Sequence, residues 1–210
     1  MPLPGIFGGC GNGASGRPGP SAGVAALLIL TAAAAACGGR RPIEAEGEVV
    51  NAPQRIALAD TYLLEVSGVA PGDTVVTIPA GTARVVVLRH GPPDNAVFAE
   101  VAFDSSSFQA ARGTPVEVTI RPRPGVYGIE LTSTAPIGSA ELTFKYAVHF
   151  SAPAAAVRRY DTPIGYEHAL AIGLFADGRD LLLLPSSRPA SDNLRARLPS
   201  SGTYLVAAPR

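Results

Sequence analysis

The sequence predicts an all-β protein, an antiparallel β-sandwich of short strands with a short helix or loop crossover near residues 153–165. Three observations carry that reading. Apolar and polar residues alternate with period two in run after run beyond residue 56, as half-buried strands require. Clusters of turn formers separate the runs, among them Ala70-Pro71-Gly72-Asp73, Pro79-Ala80-Gly81 and Gly91-Pro92-Pro93-Asp94-Asn95. The 23 glycines and 20 prolines exclude long helices, because the prolines beyond residue 36 recur about every eleven residues. Apolar residues make up 47% of the 210, enough for a core and too many for wholesale disorder. With 17 basic against 17 acidic side chains, no net field selects nucleic acid or an anionic surface.

The first element is an export segment. Residues 1–23 are rich in Gly and Pro with Arg17 as their sole charge, and an apolar run from Val24 to Ala36 follows, broken only by Thr31. As a helix that run is about 20 Å long, short of a hydrocarbon core of about 30 Å, so it is no ordinary membrane span. The run closes on Ala34-Ala35-Ala36-Cys37-Gly38-Gly39, which resembles the lipobox of bacterial lipoproteins. The resemblance implies a signal peptide over residues 1–36, acylation of Cys37 as the new first residue, and a lipid anchor outside the cytoplasm, periplasmic or at the cell surface. Simple secretion, with cleavage after one of the alanines, is the alternative.

Gly-Gly-Arg-Arg after Cys37 gives that side chain nothing to pack against, which argues against a buried cysteine. A disulfide to Cys10 would be discarded with the apolar run. Gly11-Asn12-Gly13-Ala14-Ser15-Gly16 matches a dinucleotide-binding fingerprint in letters only, because no strand precedes it. Arg40-Arg41 follows the apolar run instead of preceding it, so it is not a twin-arginine export signal. Residues 37–55, with Glu44, Glu46 and Glu48 among small and apolar residues, read as a flexible tether.

The body begins at residue 56. Strands are expected over Tyr62–Val69, Thr74–Ile78, Arg84–His90 and Val97–Phe103, and Val116, Val118 and Ile120 form the inward face of the next. Tyr127, Ile129 and Leu131 form another. The longest alternation, Glu141–Phe150, predicts Leu142, Phe144, Tyr146, Val148 and Phe150 on the inward face, with Glu141, Thr143, Lys145 and His149 facing water. After the crossover, strands are expected at His168–Phe175 and Asp180–Leu184 around Asp177-Gly178, a dipeptide suited to a two-residue hairpin turn with positive φ at both positions. Leu181–Leu184 is apolar on both faces and predicts a strand covered twice. Leu194, Ala196 and Leu198 alternate with Arg195 and Arg197, and Thr203–Ala208 is the last strand. The roughly 45 residues after the crossover are too few to hold a core alone, so 153–210 is expected to pack on residues 56–152. Two Gly-x-Tyr starts, Gly125-Val126-Tyr127 and Gly202-Thr203-Tyr204, have the spacing of a tyrosine corner, and two ordinary edge tyrosines fit as well.

Thr74-Val75-Val76-Thr77-Ile78-Pro79-Ala80-Gly81, the stretch Phe108–Ile120 and Leu184-Pro185-Ser186-Ser187 together resemble the ZU-five type β-sandwich of ankyrins, netrin receptors and bacterial surface proteins. The resemblance spans roughly residues 72–208. It implies a noncatalytic scaffold or protein-interaction module and brings no catalytic residues to transfer.

Side chains with chemistry are few. No Gly-x-Ser-x-Gly, His-Glu-x-x-His, Cys pair at metal spacing or P-loop is present. His90, His149 and His168 share no local spacing, so they read as solvated surface histidines and not as metal ligands. Ser105-Ser106-Ser107 after Asp104 reads as a turn and not as a nucleophile. Asp94, Asp104, Asp177, Asp180 and Asp192 fall in turns without a calcium-loop pattern. Nucleic-acid binding lacks its basic stripe with exposed aromatics.

The expected function is therefore an envelope-anchored lipoprotein with a non-catalytic β-sandwich, held to the membrane through Cys37. It would bind a protein or glycan partner or serve as a structural adaptor, with no cofactor. A periplasmic carrier of a small apolar ligand and an enzyme of unrecognised type are the alternatives; a large apolar cavity between the sheets would favour the first, and a cleft with converging Asp, His or Ser the second.

Overall fold

A computed structural model describes residues 52–210; the expected signal segment, Cys37 and nearly all of the expected tether lie outside the described residues. In chain order the strands are β1 (Gln54–Ala57), β2 (Thr61–Leu63), β3 (Thr74–Pro79), β4 (Arg84–Arg89), β5 (Val97–Phe103), β6 (Pro115–Pro122), β7 (Gly128–Ser133) and β8 (Ala140–Lys145). Two helices follow, α1 (Ala154–Tyr160) and α2 (Pro163–Ala169), then β9 (Ala171–Ala176), β10 (Asp180–Leu183), β11 (Ser186–Ser187), β12 (Asn193–Leu198) and β13 (Gly202–Pro209).

These strands make two antiparallel sheets facing each other, the sandwich that the alternation predicts. The larger sheet has the order β1-β10-β9-β13-β7-β6-β3, with β2 also paired to β13. The smaller has the order β11-β12-β8-β5-β4. Period two fixes what lies between them. Val116, Val118 and Ile120 of β6, Ile129 and Leu131 of β7, Leu142 and Phe144 of β8, and Leu194 and Leu198 of β12 are all fully buried in one apolar cluster. The outer face of the smaller sheet carries the alternate residues, and they are ion-paired: Lys145 to Glu100 at 2.7 Å, Arg195 to Glu141 at 3.3 Å. Strands beyond residue 153 pair directly with strands before it, β12 with β8 and β13 with β7 and β2.

A second, smaller core lies on the other face of the larger sheet. Leu181, Leu183, Leu205 and Ala207 are buried there, with Ile56, Leu58, Leu63 and Phe175 packed against them, while Leu182 and Leu184 join the main core. The apolar run Leu181–Leu184 is thus split between two cores by its own alternation. Topology explains how an outer sheet face becomes an interior. β1 and β2 are joined only by a single 3-10 turn, Leu58–Asp60, yet they pair with β10 and with β13, which has β9 between it and β10. Four strand spacings across a flat sheet would be about 19 Å, and a three-residue 3-10 turn rises only about 6 Å. The sheet must curl at this end, and the curl wraps the second core. Arg55 ties the rim, reaching Asp177 at 3.0 Å and Asp180 at 3.3 Å.

Several elements differ from their sequence expectation. β8 stops at Lys145 because its partners stop: the last pairs are Asn193 with Lys145 and Ala99 with Phe144. Tyr146 stays buried, its N–H bonded to Asp192 O at 3.0 Å, and the chain then turns, with His149 N–H on Tyr146 O at 3.1 Å. The turn exchanges the two faces, so that Val148 is 65% exposed and the His149 side chain only 10%. His168 lies in α2 and not in a strand. Thr162 caps that helix by accepting from Gly165 N–H at 2.9 Å, and Pro163 occupies its first turn, a start signal that the crossover contained and that the strand pattern overrode.

The Asp177-Gly178 hairpin has positive φ at both positions, 53° and 70°, as expected, but pairs Ala176 with Asp180 and so has one loop residue more than the expected turn. β2, Thr61–Leu63, keeps only Tyr62 and Leu63 of the expected Tyr62–Val69 strand, and β1 begins at Gln54, inside the expected tether. Of the two Gly-x-Tyr sites, Tyr204 makes the corner bond, its hydroxyl donating to Ser200 O at 2.5 Å; the Tyr127 hydroxyl is buried without a partner.

Phe144→Ala should cost about 3–5 kcal/mol of unfolding free energy and Val148→Ala under about 0.5, measured by denaturant titration, because only the first lies inside the strand pairing.

Candidate functional site

Loops meet at the end of the sandwich where β4, β6 and β8 finish and β5, β7 and β12 begin. The segment after β2, the β4–β5 loop and the turn after β8 close on one another there. The β4–β5 loop is anchored through its backbone, with His90 N–H on Ala96 O at 2.9 Å and Gly91 N–H on Val69 O at 3.0 Å. Its histidine is inside: His90 is 2% exposed, with its ring edge-on to Phe98 at 5.3 Å and to Tyr127 at 6.3 Å. Nδ1 of His90 lies 3.2 Å from Val69 O, which makes Nδ1 the protonated nitrogen of the neutral ring and leaves Nε2 as a buried lone pair without a partner. Burial holds the His90 imidazole below its ordinary pKa; the hydrogen bond to the Val69 carbonyl opposes it in part, His149 lowers it further, and Asp94 opposes least.

His149 reaches the same place from the turn after β8. Its ring stands 4.3 Å from that of His90, centroid to centroid, tilted by 53°. Nδ1 lies 3.4 Å from the Ser67 hydroxyl, and Nε2 lies 3.0 Å from Asp94 Oδ2. The Asp94 contact is at ion-pair distance but lies outside hydrogen-bond direction, so Nε2 of His149 also lacks a bonded partner. Gly68 makes room for the ring. Its φ is +89°, and a Cβ there would stand 2.9 Å from Cε1 of His149. Beside the pair is an open cleft of about 160 Å³ lined by Ala96, Val97, Lys145, Val148 and Asp192. Exposed Val69 stands on the neighbouring loop.

Two histidines expected as solvated surface groups are therefore a buried contact, while His168 is exposed on α2. Ser67 entered no sequence expectation. The signal that could have found it is the positive-φ glycine next to it, and glycine alone does not specify φ. Ser67, His149 and Asp94 converge as the enzyme alternative asks, yet they do not form a nucleophile–base–acid chain as they stand, because the serine contact is long and the carboxylate contact is misdirected. The turn aspartates are dispersed: Asp177 and Asp180 on Arg55, Asp94 at His149, and Asp104 on its own serines. Among the described residues no group of three His, Cys, Asp or Glu side chains is placed to hold a metal ion.

Asp104 closes the serine turn, accepting from Ser106 N–H at 2.6 Å and from the Ser106 hydroxyl at 2.7 Å. Those bonds hold its carboxyl below the usual range, with Arg197 a minor contributor. The Ser106 and Ser107 hydroxyls both donate to Asp104, which makes this stretch the turn that the sequence predicts. A second open cleft, about 260 Å³, lies beside it, lined by Phe103, Asp104, Glu141 and Arg197.

One further surface is available to a partner. Among the described residues β4 is a free edge of the smaller sheet, six residues long, with Val85 and Val87 exposed and Arg84 and Arg89 at its ends. No helix among the described residues is long and apolar enough to cross a membrane.

Fold and site together define an antiparallel β-sandwich protein with a histidine-centred loop end and an open edge strand. Comparison with known protein families, curated proteins and solved structures finds no match.

Gly68→Ala should destabilise the protein by about 1–2 kcal/mol in denaturant titration, since a Cβ at positive φ is strained and the His149 ring must also move.

Proposed function

We propose that this chain is an envelope-anchored lipoprotein, attached through acylated Cys37, whose non-catalytic β-sandwich binds a protein or glycan partner or serves as a structural adaptor. The ZU-five type resemblance fits the same role. The observation that carries the reading is the free edge of β4, where Val85 and Val87 stand exposed beside unpaired backbone groups of the strand. An edge of this length offers main-chain hydrogen bonds to an extended segment of a partner, and the two valines supply apolar contact. Of the other three sheet edges, β1 and β11 are shorter and β3 ends in Pro79. The anchor reading rests on the apolar run from Val24 to Ala36 and on the small residues before Cys37.

Both halves are tested in the native envelope. Cys37→Ser should abolish lipid labelling and move the protein to the soluble fraction, whereas labelled wild-type protein that retains residues 1–36 would contradict the anchor. The double variant Val85→Lys/Val87→Lys should keep its thermal midpoint, because both side chains are exposed, and should lose at least about tenfold in affinity for partners crosslinked to the wild type. Equal capture by variant and wild type would contradict an edge-binding role.

A further inference from the structure

The His90–His149 contact remains unexplained by an adaptor role, and its geometry is unusual in one respect. Two imidazoles nine-tenths or more buried stand ring to ring at 4.3 Å, and the Nε2 atom of each lacks a hydrogen-bond partner. The arrangement is sound only for a particular protonation state. With His90 neutral, its Nδ1–H donates to Val69 O, and the bare Nε2 lone pair lies among Phe98 and Tyr127 at the cost of one unmade bond. A proton on that Nε2 would place a charge in the apolar pocket with no acceptor to receive it and with a second imidazole against its face.

The Val69 carbonyl and Asp94 offset a charge on His90 only in part, because burial outweighs them. Asp94, from the β4–β5 loop, stands at His149 Nε2 and can offset a proton there. Lys145 of β8 adds another cation, already committed to Glu100, and Asp192 lines the open cleft from the turn before β12. Tyr127 and Tyr146 present phenols that burial keeps protonated well above neutral pH. Ser67 and the Val69 carbonyl, from the segment after β2, complete the surround. A proton on His90 is therefore disfavoured in the closed arrangement and favours opening of the loops.

We propose that the His90–His149 contact is a proton-operated clasp: with His90 neutral it holds the segment after β2, the β4–β5 loop and the turn after β8 closed over the Phe98–Tyr127 end of the core, and a proton on His90 releases them. The direction follows from linkage. His90 is held below its ordinary pKa of 6.5 in the closed form and regains it when the loops open. The closed form is thus fully favoured above about pH 6.5 and loses its advantage as pH falls below that value, down to the pKa of the closed form. Opening uncovers Phe98 and Tyr127 between Val69 and Val148, so acid would create an apolar face at this end.

Hydrogen exchange of the full chain in detergent tests the clasp, read at the Gly91 amide, whose acceptor Val69 O belongs to the segment after β2 and so lies across the clasp. After correction for intrinsic exchange, protection at this amide should fall between pH 7.5 and 5.5, by up to about tenfold, because one pH unit below 6.5 favours a protonated open state by at most that factor. Amides of the β6–β7 ladder should not share the fall. His90→Phe, which keeps an aromatic ring on Phe98 and cannot titrate, should abolish it; a pH dependence that survives in this variant overturns the proposal. Should that variant fail to fold, the His90 imidazole resonances of the unsubstituted protein decide. A titration midpoint below about 6.5 supports the clasp, and one at or above it overturns the proposal.

Discussion

The larger sheet depends on the pairing of its last strand. β13 takes β9 along Tyr204–Ala207 on one side, and on the other it takes β7 along Gly202–Leu205 and then β2 along Ala207–Pro209. Five consecutive residues of β13, Tyr204–Ala208, are buried, and they contribute to both cores: Tyr204, Val206 and Ala208 to the main one, Leu205 and Ala207 to the second. Without this strand β9, β10 and β1 would have no link to β7, β6 and β3, and the curl that encloses the second core would have no anchor for β2. The sheet is therefore completed by a strand far in sequence from its partners β2 and β7, and such long-range contacts favour slow, concerted folding over assembly of independent pieces.

The loop end inherits its geometry from that frame. β4, β6 and β8 all finish at one level, and the turns that follow them have to fill the end of the main core. There they meet aromatic rings: Phe98, Phe144 and Tyr146 each contact Tyr127, His90 packs on Phe98 and Tyr127, and His149 packs on His90. A histidine in such a place packs like an aromatic while neutral and ceases to do so when charged, so a packing role and a proton response come from the same side chain. The edge strand β4 is separate from this chemistry. Its exposed valines concern a partner, whereas the histidines concern the state of the loops.

Much of the framework is legible in the sequence, for a physical reason. Where a strand has partners on both sides and one face on the core, alternation alone assigns its side chains, as at Val116–Ile120 and Leu194–Leu198, and a strand between two cores shows as an unbroken apolar run, as at Leu181–Leu184. Alternation fails where pairing ends. The pattern through Glu141–Phe150 continues past the point at which β8 loses its neighbours, and the turn there reverses Val148 and His149. Helix α2 was hidden because Thr162-Pro163 is a two-residue signal competing with an apolar stretch. The loop-end cluster was not legible at all: Ser67, His90, Asp94 and His149 come from three separate loops, and only the register of the two sheets brings them within contact.

The account stands or falls on the claim that β13 closes one cooperative body. A chain ending at Ser200 lacks that strand alone, and its thermal unfolding, followed by far-UV circular dichroism and by the dispersion of methyl resonances, tests the claim directly. The account predicts no cooperative transition and collapsed methyl dispersion, since both cores would lie open along the middle of the larger sheet. A sharp transition near the midpoint of the full chain, with native-like dispersion, would contradict it.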